Sequence, residues 1–175
     1  MEEPYNADHL IHILFQYHES LDYIALAGSI TEPSALFESR NRDSRLKFGR
    51  LQQLVIDARN EGYVKLATFI ISRSPHIHSI TLDQHTANHD HICNALKRLP
   101  NLRMITAWKI PADASSFHRL LLHDAQLAMD SSLEELKIDF VVDVSDISWL
   151  HTISRLETLR HLVLLTWQSM PLRRT

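Results

Sequence analysis

A spaced apolar triplet of the form Leu-x-x-Leu-x-Leu occurs six times along this sequence: Leu21-Ile24-Leu26, Leu51-Leu54-Ile56, Ile77-Ile80-Leu82, Leu102-Ile105-Ala107, Leu133-Leu136-Ile138 and Leu159-Leu162-Leu164. The last two members of each triplet alternate with other residues, as Leu136 and Ile138 do with Glu135, Lys137 and Asp139. A period of two is that of a strand with one buried face. The copies follow one another at steps of 30, 26, 25, 31 and 26 residues. Recurrence at such a period marks a repeat array, in which each unit buries its apolar face against its neighbours.

The segments between the triplets carry helical spacing. Leu10, Ile13, Leu14 and Tyr17 predict an amphipathic helix over 8–17, ahead of the first strand and with no partner strand of its own. Thr31 and Pro33 suit the first turn of a short helix carrying Leu36 and Phe37, and the polar run Glu38–Lys47 reads as a surface loop. Tyr63, Leu66, Ala67 and Ile70 form the second helical stripe, stopped by Pro75. Ile92, Leu96 and Leu99 form the third, with Thr86 or Asn88 as cap and Pro100 as stop. An enlarged turn, Ile110-Pro111-Ala112-Asp113, precedes a helix with Phe117, Leu120, Leu121 and Ala128, and a fifth helix from about Asp146 to Leu156 offers Ile147, Leu150 and Ile153. The sixth unit has only its strand, with no polar cap after Trp167.

Composition narrows the function classes. With 45% hydrophobic and 22% charged residues the chain reads as an ordinary folded domain, and a net charge of −3 argues against nucleic acid as partner. No apolar run approaches the roughly 18 residues of a membrane span, and the acidic start Met-Glu-Glu-Pro lacks the order of a secretory signal, so cytoplasm or nucleus is the expected address. Cys93 is the sole cysteine, which excludes an internal disulfide and a cysteine-based zinc site. His85 and His89 are four residues apart, with His76, His78 and His91 nearby. The strand-to-helix junction separates them and no His-Glu-x-x-His motif completes a site, so no metal or other cofactor is expected. No Gly-x-Ser-x-Gly elbow occurs, and three glycines in all leave no phosphate-cradling loop.

The six triplets and their intervening helical stripes resemble the irregular, ribonuclease-inhibitor-like leucine-rich repeats found in many F-box proteins. The likeness covers about residues 8–167. The fold it implies is an α/β leucine-rich-repeat solenoid of about six irregular repeats, with parallel strands on the concave face and helices on the convex face. Residues 1–20 then supply the N-terminal helix of a preceding or capping repeat, and 21–175 the repeat domain. The asparagine usual just past the last Leu of such repeats is replaced by Ser29, Arg59, His85, Ile110, Val141 and Trp167, so no asparagine ladder can stack. A competing reading takes His9–Phe15 and Leu21–Leu26 as a degenerate F-box, without the usual Leu-Pro start.

In that fold the residues between the apolar members face the concave side, giving rows two, four and six positions after each first Leu. Asp57, Asp83, Trp108 and Asp139 fall in one row, an aromatic flanked by carboxylates, and are the expected protein-binding residues. The function this implies is protein–protein interaction without catalysis. By resemblance it is substrate recognition for an F-box-type ubiquitin-ligase receptor, with the Skp adaptor held by a missing or degenerate F-box. The alternative is a freestanding scaffold or inhibitor.

Overall fold

The computed structural model describes residues 5–31, 46–111, 114–127, 130–140 and 147–166. Each triplet leads into one strand: β1 Tyr23–Gly28, β2 Gln53–Ala58, β3 Ser79–Leu82, β4 Met104–Ile110, β5 Glu135–Phe140 and β6 His161–Thr166. They form one open parallel sheet in sequential order, β1-β2-β3-β4-β5-β6. Every strand begins two residues after the first apolar residue of its triplet. The hydrogen bonds at that point recur from unit to unit. The Asp22 carbonyl accepts from the amides of Gln52 and Gln53, the Gln52 carbonyl from those of His78 and Ser79, and the His78 carbonyl from those of Arg103 and Met104. Arg103 and Glu134 continue the series as acceptors for the next two units. The spacing in the sequence is therefore a spacing of ladder hydrogen bonds.

Six helices occur among the described residues: α1 Ala7–Tyr17, α2 Glu61–Ser72, α3 Gln84–Ala87, α4 Asp90–Leu96, α5 Ser115–Leu127 and α6 Ile147–Ile153. α2 packs on α4, α4 on α5 and α5 on α6, so neighbouring units touch through helices as well as strands. Leu54, Ile56, Ile80, Leu82, Ile105, Leu136 and Ile138 lie with the inner faces of these helices in one apolar cluster. Each such side chain stabilises the fold by roughly 1.5–3 kcal/mol relative to exposure. The strand positions that alternate with the inward-facing ones are exposed or half-buried, with Thr106 and Asp139 as buried exceptions, so helices cover one face of the sheet and leave the other open.

Two helices turn a different face inward from the one their periodicity suggests. In α1 the buried residues are Ala7, Ile11, Leu14 and Phe15, whereas Ile13 and Tyr17 are exposed. Phe15 meets Phe69 edge-on at 5.8 Å, which sets the rotation of α1 against α2. In α6 Trp149 rather than Leu150 enters the core. It stacks on His118 at 4.8 Å and lies 5.9 Å from Phe117 and 5.4 Å from Phe140. The larger aromatic surface wins the buried position. Leu162, in the last triplet, is 45% exposed, unlike its counterparts in the other five. The expected first-unit helix with Leu36 and Phe37, and Ala128 in the fourth, lie outside the described residues.

Side chains past the strand ends do the cross-unit work that an asparagine ladder would do. The Ala7 amide donates to Thr31 Oγ1 at 3.0 Å, Asn60 Nδ2 donates to the Ile30 carbonyl, and the Ala58 amide donates to the buried Thr86 Oγ1 at 3.0 Å. Each satisfies a backbone group of the preceding unit. Tyr5, ahead of α1, forms a parallel bridge with Ile30. A short extended contact thus stands where the sequence offers α1 no partner strand. Gly62 lies in the first turn of α2, where an added Cβ would stand 3.0 Å from the Thr31 carbonyl, so a side chain there would require its neighbour to give by a few tenths of an ångström.

Candidate functional site

Strand register builds the open face in rows. Tyr23, Gln53, Ser79, Met104, Glu135 and His161 are aligned, and behind them Ala25, Val55, Thr81, Thr106, Lys137 and Val163. In the third row Ala27 pairs with Asp57 and Asp139 with Leu165, whereas Asp83 stands one residue beyond the end of β3. The four residues expected at the site therefore share the C-terminal, or exit, edge of the sheet. They differ sharply in what their side chains do.

Asp57 is held by Arg59, whose Nη2 and Nε donate to its two carboxylate oxygens at 3.0 and 3.4 Å. Burial alone would raise its pKa, but the hydrogen bonds from Arg59 and the Arg59 charge outweigh that, and the carboxyl sits below its ordinary value. Asp83 is the N-cap of α3. Its Oδ1 accepts from the Thr86 amide at 2.9 Å and from Thr86 Oγ1 at 2.6 Å, and Thr86 Oγ1 in turn accepts from Ala58. The helix that carries Ile92 and Leu96 is α4, and its N-cap position is held by His89, without a side-chain cap hydrogen bond, rather than by Thr86 or Asn88; Thr86 is turned inward to serve the preceding strand. Both acids have structural employment.

Trp108 and Asp139 are the exceptions. The pairing of β4 with β5 advances from Ala107↔Ile138 to Ile110↔Phe140, so β4 carries one extra residue there. Trp108 and Lys109 together oppose Asp139 across this bulge, and Lys109 takes a left-handed backbone at φ 54°. Bulges re-aim side chains, and here the indole is left 44% exposed. Asp139 is 5% exposed, and its Oδ1 has no hydrogen-bond partner among the described residues. An unsatisfied buried carboxylate oxygen is costly, and its position beside a presented aromatic makes the pair the most distinctive feature of this face. No family model, curated protein or solved structure matches the chain. The site therefore has to be read from its own chemistry.

Tyr23, Val163 and Leu165 add exposed apolar surface to the same face. Their row positions are legible in the sequence, but their exposure depends on sitting in the first and last strands. Elsewhere the titratable groups do not converge. Among the described residues no three His, Cys, Asp or Glu side chains are grouped to hold a metal ion. Cys93 is buried, donates to the Ala87 carbonyl at 3.2 Å, and has its pKa pushed up to about 12 by that burial, which leaves it a poor nucleophile. No helix among the described residues is long and apolar enough to cross a membrane.

Proposed function

We propose that this sheet is a leucine-rich-repeat solenoid of the irregular, ribonuclease-inhibitor-like kind, and that it binds protein on its open face without catalysing a reaction. The observation that carries the reading is the half-exposed indole of Trp108, raised on a bulge beside the unpartnered carboxylate of Asp139. A cationic side chain of a partner fits this pair. The indole face attracts a guanidinium or ammonium, and the neighbouring carboxylate, although shielded from direct contact, adds to that attraction. The context suggested by the repeats is substrate recognition within an F-box-type ubiquitin-ligase receptor of the cytoplasm or nucleus, where a separate F-box would hold the Skp adaptor.

One observation favours a second reading, a freestanding scaffold or inhibitor that uses the same face and touches no ligase. Residues 23–28 are a strand paired with β2, where a degenerate F-box over 9–28 would need helix. Co-purification from cells separates the two. Recovery of Skp and cullin with the intact protein supports the ligase context, and their reproducible absence supports the scaffold.

A further inference from the structure

The opposite edge of the sheet, where strands begin, carries a different chemistry. A groove of about 590 Å³ lies there, lined by Arg50, Gln52, His76, His78, Asn101 and Arg103. These are the residues immediately before and after the first apolar residue of the second, third and fourth triplets. The fold register alone stacks them, because the Gln52 and His78 carbonyls hold successive units in step. Among the described residues no aspartate or glutamate lines the groove, in a chain whose net charge is −3. Arg50 and Arg103 are exposed, and neither forms an ion pair among the described residues. Asn101 is occupied with the Pro75 carbonyl at 3.1 Å. At the equivalent positions of the flanking units stand Asp22 and Glu134, which limit the basic surface to three strands.

We infer that this groove holds an extended acidic segment of a partner protein. Arg50 enters at β2 and Arg103 at β4, two strand spacings apart, which is roughly 10 Å. Carboxylates three residues apart on an extended chain of the polyproline-II kind, at about 3.1 Å per residue, share one face and match that separation. A guanidinium presents a planar fork of donors to each carboxylate, which an isolated ammonium does not. Among the described residues no Phe, Tyr or Trp lines the groove, and its two guanidiniums fall short of the basic stripe a nucleic acid requires. The open face is thereby mixed along the strands, basic where β2, β3 and β4 enter and acidic at the exit edge that carries Asp57, Asp83 and Asp139. This inference does not depend on Trp108 and stands if the exit-edge reading fails.

The test is fluorescence anisotropy of a dye-labelled peptide of about ten residues with Glu at every third position, measured with the full chain at low salt. Saturable binding is expected, weakened up to about fivefold by Arg50→Ala or Arg103→Ala, weakened further by the two together, and reduced by added salt. Trp108→Ala leaves it unchanged. Both arginines are exposed, so thermal melts of the variants should overlay the parent and exclude misfolding. Absence of saturable binding, equal binding by the double variant, or an oligonucleotide of the same charge held as tightly as the peptide would each overturn the inference.

Discussion

Replacing Asp139 by leucine should stabilise the protein while damaging its function. The carboxylate is 5% exposed, its Oδ1 finds no partner among the described residues, and its cross-strand neighbours are Leu165 on one side and the Trp108–Lys109 bulge on the other. A buried polar group left unsatisfied costs about 1–3 kcal/mol, and an apolar side chain of similar size removes that cost. For a domain of this length each kcal/mol moves the melting temperature by about 2–4 °C, so Asp139→Leu should raise it by about 2–12 °C. Asp139→Asn removes the charge but leaves a buried amide, and should gain less. Calorimetry and urea titration at pH 7 give the numbers. A lower midpoint for the leucine variant would show that the carboxylate is satisfied in solution and would refute the reasoning. A higher midpoint together with lost partner capture is the trade expected of a residue kept for binding.

Asp83→Ala should cost about 1–2 kcal/mol in urea unfolding, because it removes the N-cap of α3 and leaves Thr86 without its acceptor. Asp124, which accepts from Ser131 Oγ at 3.4 Å, has its pKa raised chiefly by burial. A carboxyl whose folded pKa is raised favours folding below its unfolded value, near 3.8, and that contribution is lost as pH rises through the folded value. Asp124→Asn should therefore gain stability relative to the parent at pH 7 compared with pH 3.5, and a difference independent of pH would contradict the assignment. Cys93, with its pKa near 12, should resist thiol reagents at pH 8 until denaturant is added; rapid native labelling would mean that this thiol is reachable.

The strands were legible because their signal is local and repeated. Leu136 and Ile138, and their counterparts in four other units, are buried as the alternation requires, and the row positions follow from register alone. Helix faces were less legible, since neighbours decide them. Ile13 and Ile11 fit similar stripes, and the face that is buried holds Ile11 together with Phe15, which meets Phe69. At the site, the shared edge of Asp57, Asp83, Trp108 and Asp139 could be read, but their separate roles could not. Asp83 looks like any strand-end acid until Thr86 turns inward to meet Ala58. The bulge has no sequence mark, because Lys109 holds a left-handed backbone that glycine or asparagine would ordinarily announce. Asp139 is buried only in consequence of that local geometry. The entry-edge groove has no local mark in the sequence, because its residues come two at a time from three separate units.

The central claim, that the open face binds protein through Trp108, is tested most directly by quantitative affinity capture from matched extracts with the parent chain and Trp108→Ala. Truncation of a central aromatic anchor commonly costs 2 kcal/mol or more. Recovery of the specific partners should therefore fall by about tenfold or more while the circular dichroism spectrum stays the same. Equal recovery by the two proteins would remove Trp108, and with it the exit edge of this face, from the account.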